Sequence, residues 1–250
     1  MNFYSVIIGS ELLNGRRVDK HFSFLNSELI KRGWTHKGSF VIKDEPDFIE
    51  NTFKLVQSDP KSVLFSFGGI GATPDDYTRK CAANVFRDSQ MERNPTALQN
   101  IIDKFGDDAY PHRVHMADLP SNAKLLHNPV SNVPGFYLDN RFFFVPGFPK
   151  MAQAMVNEAL NLYYPKNSQQ SIRLCLTAST SENHFIDVMK SIDKKVDFSS
   201  LPIMENDKRY TVLSIASDDK TLASFEFEKF INHCKAHNID YTLKDIKQTK

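Results

Sequence analysis

The chain has 250 residues, a formal net charge of +1 and a pI near 7.7, a balance that gives no reason to expect nucleic acid or an anionic membrane as a partner. Hydrophobic residues make up 41% and include 20 phenylalanines, enough for a sizeable core, and no apolar run approaches the ~20 residues of a membrane span. The N-terminal residues lead directly into a strand pattern without a basic segment, so we expect a cytoplasmic protein. Cys81, Cys175 and Cys234 lie far apart and predict buried thiols rather than a disulfide framework or a zinc site.

The first part of the chain alternates between strand and helix patterns. A β-branched and aromatic run over residues 3–8 predicts a strand, and apolar residues at helical spacing over 18–32 predict a helix. A second strand over 40–42 and a helix beginning near Pro46 follow. This alternation favours a mostly parallel sheet that is covered on both faces. The residues expected on the buried side of the first helix are Phe22, Leu25, Leu29 and Ile30.

The most informative stretch is residues 62–79, SVLFSFGGIGATPDDYTR. It begins as a buried strand, and three glycines within four residues then let bare backbone N–H groups approach a ligand. Asp75 and Asp76 precede a helix, and a helix start favours negative charge, either in these side chains or in a bound phosphate. The two carboxylates and a bound phosphate are favoured together only when a cation lies between them. The stretch therefore predicts a phosphate site that works with a divalent metal. The alternative is an ordinary strand-to-helix turn with an Asp cap, and the glycine spacing is neither the Rossmann nor the Walker pattern.

After this stretch the pattern is weaker. Residues 96–105 predict a helix, and residues 107–122 predict a short helix and a loop. Asp139 and Asn140 lie between two short apolar runs, a hairpin signal. A last amphipathic helix is expected to begin at the Pro-Gly-Phe-Pro segment 146–149.

The C-terminal third predicts a separate small domain. Polar residues 165–170 indicate a linker, and the segments after it predict the order β-α-β-β-α-β, a split βαβ sandwich. Ser179 and Glu182 have the spacing of a capping box for its first helix. We find no convincing catalytic cluster in this part of the sequence.

Four stretches, in order along the chain, resemble motifs of the molybdopterin-binding, MogA/MoaB-like domain family. GGIGATPDDYT at 68–78 is similar to the family signature GGxGxTxxDxxT, and IGSELLNGR at 8–16 resembles GDELLxGR. Residues 128–136 and 145–151 resemble NPxGxAPGF and LPGxPxEM, which point to the N-terminal part of the CinA branch. The resemblance covers roughly residues 3–165.

This resemblance implies a fold and a domain organisation. It implies a three-layer α/β/α domain with a mostly parallel sheet over residues 1–165. It also implies a small α+β, KH-like domain over 171–250, without the deamidase-like domain of full-length CinA. The implied ligand is a small nucleotide or pterin, with Mg²⁺ or another divalent cation and no tightly bound organic cofactor. By analogy with CinA, we expect a homo-oligomer, with a dimer favoured.

The resemblance also implies site residues. Asp44 and Asp76 match the two catalytic acids, and Asp47 is a rival for the position of Asp44. A metal ion would be held by Asp76 with Asp75 and Glu11, because Mg²⁺ prefers hard oxygen ligands. The residues expected to bind substrate are Gly9, Ser10, Glu11, Gly68, Gly69, Gly71, Thr73, Pro146 and Gly147.

The implied activity is metal-dependent hydrolysis of ADP-ribose, or a related nucleotide-linked substrate, to AMP and ribose 5-phosphate. Two alternatives stay open: molybdopterin adenylylation with Mg-ATP, and nucleotide or pterin binding without turnover. The last is kept because five residues depart from the family pattern. Ser10 stands where Asp or Asn is usual, and His21 falls near a usual Asn. Ser131 replaces a Gly, Ala72 replaces a common Pro, and Lys150 stands at a position that is often acidic.

Overall fold

The computed structural model describes residues 1–167 and 172–244. The chain divides into two compact units, Met1–Lys166 and Asn167–Lys250. Of the predicted linker, residues 168–170 lie outside the described residues, as do residue 171 and the end of the chain from 245. In the described part of the chain, every helix is too short or too polar to cross a bilayer.

The first unit is built from short strands and helices in alternation. Its strands are β1 (Asn2–Ile8), β2 (His36–Ile42), β3 (Ser62–Phe67), β4 (Met91–Arg93), β5 (Asp118–Pro120), β6 (Lys124–Leu126), β7 (Gly135–Leu138) and β8 (Phe142–Val145). Its α-helices are α1 (Ser10–Leu13), α2 (His21–Lys31), α3 (Pro46–Gln57), α4 (Thr78–Phe86), α5 (Pro95–Phe105) and α6 (Pro149–Tyr163). Two 3₁₀ turns cover Gly106–Ala109 and Arg113–Ala117.

Six of these strands form one sheet in the order β2-β1-β3-β8-β7-β6. β2, β1, β3 and β8 run parallel, and β7 and β6 extend the sheet antiparallel. The hairpin between β7 and β8 turns at Asp139 and Asn140, which both have positive φ, at 54° and 55°. The predicted mostly parallel sheet and the hairpin are confirmed.

A hydrophobic core lies on each face of this sheet, which confirms the three-layer α/β/α prediction. One core contains residues of α3, α4 and α5, such as Phe53 and Ala82. The other contains residues of α2 and α6, such as Leu25, Leu29 and Met155. The phenylalanines of β3 and β8 fill both layers, and Phe65 stacks on Phe143 with ring centroids 4.9 Å apart.

Two residues of the predicted buried stripe of α2 are exposed. Phe22 and Ile30 are 43% and 59% exposed, so this part of the prediction was wrong. The buried side of α2 is set by His21, Leu25 and Leu29, which recur at four-residue spacing. Ile30 lies about 100° around the helix from Leu29, and Phe22 instead packs on the ring of His36.

The strands before and after α5 form a small sheet that the sequence did not predict. β4 pairs with β5 in a two-stranded antiparallel sheet. Residues 107–122, predicted as a short helix and loop, form the two 3₁₀ turns and β5. Strands of three residues are too short to show a periodic pattern, which is why this sheet was missed.

The second unit confirms the split βαβ prediction. Its strands form an antiparallel sheet with β10 (Asp197–Glu205) first, followed by β11 (Lys208–Ser217), β9 (Ile172–Ala178) and β12 (Tyr241–Lys244). Its α-helices are α7 (Ile186–Lys190) and α8 (Lys220–Ala236). All three cysteines of the chain are buried thiols, as predicted.

The predicted capping box in this unit was wrong. Ser181 precedes the 3₁₀ turn Glu182–Phe185, and neither Ser179 nor Ser181 caps it with a side-chain hydrogen bond. Glu182 instead accepts a hydrogen bond from the Ser200 hydroxyl at 2.9 Å. Tertiary contact with β10 therefore decides the orientation of this carboxylate.

Candidate phosphate-binding site

The loops that follow the four parallel strands meet at one edge of the large sheet. β1, β2, β3 and β8 end at Ile8, Ile42, Phe67 and Val145, and parallel strands present their carboxyl ends at the same edge. The chain crosses from β2 over β1 to β3, with α2 and α3 in the cores on opposite faces. Such a change of direction opens a crevice at the carboxyl ends of β1 and β3, where ligands of open α/β sheets bind.

Residues 68–73, called the Gly-loop from here on, leave β3 in a conformation that requires glycine at its first two positions. Gly68 and Gly69 have φ values of +96° and +67°. A Cβ at Gly68 would lie 2.4 Å from the carbonyl oxygen of Ile8, and a Cβ at Gly69 would lie 2.2 Å from Thr78 Oγ1. The loop therefore packs directly against the end of β1 and the start of α4.

The carbonyl groups of the Gly-loop are held on its inner side. Thr78 donates from Oγ1 to the Gly68 carbonyl at 2.9 Å and from its N–H to the Gly69 carbonyl at 3.0 Å. Arg79 donates from Nη1 to the carbonyls of Ile70 and Gly71. Burial lowers the pKa of the Arg79 guanidinium, and the Asp76 carboxylate opposes this shift. Four successive carbonyls thus have donors before any ligand is present.

The N–H groups of the same loop have no such partners. Within residues 1–167 and 172–244, the amides of Gly69, Ile70, Gly71 and Ala72 donate to no protein acceptor, and these residues are half-buried. Consecutive unpaired amides at the start of a helix form an anion-binding concavity. The prediction of a phosphate site rests on this feature.

The two predicted catalytic acids are each fixed by hydrogen bonds at this edge. Asp76 Oδ2 accepts from the N–H of Thr73 at 2.8 Å and from its hydroxyl at 2.5 Å. Asp44 Oδ2 accepts from the N–H of Ser10 at 2.7 Å and from its hydroxyl at 2.8 Å. In both residues the second carboxylate oxygen, Oδ1, accepts no hydrogen bond from the described residues.

Glycine at position 71 lets Asp76 approach the loop. A Cβ there would lie 2.6 Å from Asp76 Oδ2, so a larger residue would displace the carboxylate. Ser10, one of the departures from the family pattern, supplies both donors to Asp44. The rival Asp47 is exposed in the first turn of α3, and its carboxylate accepts no hydrogen bond from the described residues.

The turn at Pro146 and Gly147 closes the site from the β8 side. A Cβ at Gly147 would lie 3.6 Å from the Cα atom of Gly68, so this turn contacts the Gly-loop. Below it, His21 Nε2 lies 3.3 Å from the Gly147 carbonyl oxygen, and the His21 ring stacks on Phe67 with centroids 4.6 Å apart. Burial lowers the pKa of His21 and so favours the neutral ring. Because a carbonyl oxygen can only accept, the proton of the neutral ring lies on Nε2 and is donated to Gly147.

A comparison with protein families identifies the first unit. The family model described as "Probable molybdopterin binding domain" matches residues 5–165. The chain belongs to the molybdopterin-binding domain family. The matched residues include the six-stranded sheet, apart from the first three residues of β1, and the helices on both of its faces.

Among individual relatives, this molybdopterin-binding domain is similar in sequence to CinA-like proteins. A CinA-like protein from Acaryochloris marina is 31% identical over 160 residues, which are 61% of this chain and 38% of that protein. A protein from Caldivirga maquilingensis is 32% identical over 168 residues, 64% of each chain. The crystal structure of CinA from Thermoplasma acidophilum aligns with a TM-score of 0.58 at 29% identity, covering 64% of this chain and 96% of that one. The match thus spans less than two-fifths of the Acaryochloris relative.

The carboxylates predicted to hold a metal ion do not gather into one cluster in this molybdopterin-binding domain. Across the part of the chain that the structure describes, no three His, Cys, Asp or Glu side chains are placed to hold an ion. Glu11 lies 3.4 Å from Arg17, and Asp75 is exposed, with the pKa of its carboxyl lowered mainly by the neighbouring Thr73 side chain. Asp76 is thus the one member of the predicted set that is held against the Gly-loop.

The sequence did not reveal the roles of Arg79, which holds the Gly-loop, and His21, which holds the neighbouring turn. Arg79 belongs to the stretch 62–79, but nothing in its spacing showed that it would donate to two loop carbonyls. His21 was noted only near a position where the family usually has Asn. The available signal was its register with Leu25 and Leu29, which places His21 on the buried side of α2.

Proposed function

We propose that the first unit is a metal-dependent nucleotide pyrophosphatase that hydrolyses ADP-ribose or a related nucleotide-linked substrate. The observation that carries this proposal is the Gly-loop itself. Its four carbonyls are bound from the inside, and its four N–H groups are left for an anion. A pyrophosphate offers two adjacent anionic groups to such a row of donors.

The donor set beside the loop fits a magnesium ion. Mg²⁺ in phosphate sites takes one or two protein carboxylates and keeps substrate oxygens and waters as its other ligands. Asp76 presents one oxygen that is not used within the protein, and one protein carboxylate is sufficient where substrate oxygens and waters supply the other ligands, so a cluster of three protein ligands is not required. When bound, the metal would neutralise phosphate charge and orient the attacking water.

The reaction balances as ADP-ribose and water giving AMP, ribose 5-phosphate and two protons, with both products written as dianions. Water adds to one phosphorus atom, and the bond from that atom to the bridging oxygen breaks. Asp44 accepts the proton of the attacking water, since Ser10 fixes one of its oxygens and leaves the other available. The Gly-loop amides and Asp76 hold the pyrophosphate in position, which is the main contribution of the protein in phosphoryl transfer.

Adenylylation of molybdopterin is a second candidate, because the matched family is described as molybdopterin-binding. It would use the same phosphate loop, with a pterin phosphate replacing water as the attacking group. Binding without turnover is the third candidate, and it would use the Gly-loop amides without the two acids.

The test is an assay of product formation by the purified full chain. ADP-ribose is incubated with and without Mg²⁺, and AMP is quantified by chromatography for the wild type, Asp44→Ala and Asp76→Ala. Asp187→Ala is the matched control, because its side chain is 96% exposed in the second unit. We expect Mg²⁺-dependent AMP release in the wild type and the control, and a loss of at least 100-fold, roughly the effect of a misplaced catalytic group, in the other two variants.

Each of the other results would point to a different function. AMP release that survives in Asp76→Ala would exclude the proposed site. Consumption of Mg-ATP with a pterin phosphate, without hydrolysis of ADP-ribose, would favour adenylylation. Binding of nucleotide without any product would leave a binding protein.

A further inference from the structure

A cavity adjoins the end of the Gly-loop. It has a volume of about 490 Å³ and is lined by residues 72–74 and, opposite them, by Asp108, Tyr110, His112 and Arg113. A volume of this size is within the range of small-molecule sites. Nothing in the function proposed above uses its outer wall.

The cavity continues directly from the phosphate site. Ala72 carries the last of the four unpaired amides, and Thr73 donates to Asp76, while both residues also line the cavity. A ligand whose pyrophosphate lies on the Gly-loop would therefore extend one end of its molecule into this space. The end that fits can be inferred from the opposite wall.

That wall presents flat groups. Tyr110 lines the cavity and is 60% exposed, so its ring is accessible to a ligand there. Arg113 is held in place, because its Nη1 donates to the Asp108 carbonyl at 2.6 Å and its Cζ lies 4.6 Å from the centre of the Phe105 ring. A phenol ring and a fixed guanidinium both stack on the faces of heteroaromatic rings.

We propose that this cavity binds the fused, nitrogen-containing ring of the substrate, a purine or a pterin, and that Tyr110 is the stacking residue that selects it. The proposal rests on the proposed function, because the Gly-loop must hold the phosphates. Asp108 adds an acceptor beside the ring, which suits the exocyclic amino group that adenine and pterin share. A substrate without such a ring would use the Gly-loop alone.

The test is calorimetric titration of the full chain with AMP, a pterin bearing a side-chain phosphate, ribose 5-phosphate and inorganic pyrophosphate, all with Mg²⁺. The variants are Tyr110→Ala, Tyr110→Phe, which keeps a ring, and Phe225→Ala, which removes another ring that is 64% exposed in the second unit. We expect Tyr110→Ala to raise the Kd for the ring-bearing ligand about 5- to 150-fold, the range for loss of one base–aromatic stack. Its Kd for pyrophosphate should stay within about twofold, and the other two variants should resemble the wild type.

The results separate this proposal from the one on which it rests. Equal loss for AMP and pyrophosphate, or unchanged AMP affinity in Tyr110→Ala, would overturn the stacking role while the phosphate site stands. If the wild type binds neither pyrophosphate nor AMP, the proposed function fails, and the ring site fails with it. Whichever of AMP and the pterin phosphate binds more tightly and depends on Tyr110 identifies the ring.

Discussion

Replacing Thr78 with valine removes one hydroxyl from a fully buried position and leaves the side-chain volume almost unchanged. The lost contact is the 2.9 Å hydrogen bond from Thr78 Oγ1 to the Gly68 carbonyl. Leaving a buried acceptor unsatisfied costs about 1–3 kcal/mol. For a unit of this size, about 2 kcal/mol corresponds to a fall in Tm of roughly 4–8 °C.

Urea unfolding followed by tryptophan fluorescence measures this loss in the first unit alone. Trp34 is the single tryptophan of the chain, and its ring packs against Phe3 and Tyr164 with centroids 5.5 and 6.4 Å apart. The signal therefore reports unfolding of the core that underlies the Gly-loop. The slope with urea should not change, because the surface exposed on unfolding stays the same.

A second pair of variants isolates the hydroxyl from the methyl group of Thr78. Thr78→Ser keeps the hydroxyl and Thr78→Ala lacks it, so their difference should equal the loss in Thr78→Val, about 1–3 kcal/mol. Agreement between the two differences would assign the effect to the bond with Gly68. If Thr78→Val is as stable as the wild type and Thr78→Ala as stable as Thr78→Ser, this hydrogen bond does not stabilise the loop.

Three further predictions concern the site and its supports. Burial lowers the pKa of His21 below the ordinary value of 6.5, so the stability that its neutral form contributes is fully present above pH 6.5 and is lost as the pH falls below that value. The Tm of the first unit should therefore drop between pH 6.5 and pH 5, and His21→Asn should make this drop smaller. An equal drop in the variant would contradict the role given to His21. Gly71→Ala should reduce turnover about 100-fold by displacing Asp76, as measured by AMP release, and activity near that of the wild type would show that the position of Asp76 does not matter. A Cβ at Gly135 would lie 2.7 Å from the Phe144 carbonyl oxygen and 2.8 Å from Met155 Sδ. Gly135→Ala should therefore lower the free energy of unfolding by about 1–3 kcal/mol. An unchanged midpoint of urea unfolding would contradict this close packing.

Local patterns were sufficient to predict most of the fold. The alternation of strand and helix over residues 3–79 gave the parallel sheet, and the Asp139-Asn140 pair gave the hairpin, because each depends on a few adjacent residues. The β4–β5 sheet was missed because three-residue strands carry no period. Glu182 was misread because the spacing of a capping box does not reveal a competing partner on β10, the Ser200 hydroxyl.

The site could be predicted in its loops but not in its contacts. The glycines and Asp76 are adjacent in sequence, so their grouping could be read directly from the motif. Ser10 and Asp44 are 34 residues apart, and only the pairing of β1 with β2 brings them together. The metal set of Glu11, Asp75 and Asp76 was inferred from residue types, whereas the structure pairs Glu11 with Arg17.

The account depends most on the amides of the Gly-loop binding phosphate groups. The most direct test is a titration of ¹⁵N-labelled protein with ADP-ribose, with and without Mg²⁺, followed through backbone amide resonances. We predict that the largest shifts belong to Gly69, Ile70, Gly71 and Ala72, and that Gly71→Ala weakens the binding. Saturable binding that leaves these four resonances unmoved while other amides shift would contradict a phosphate site at the Gly-loop.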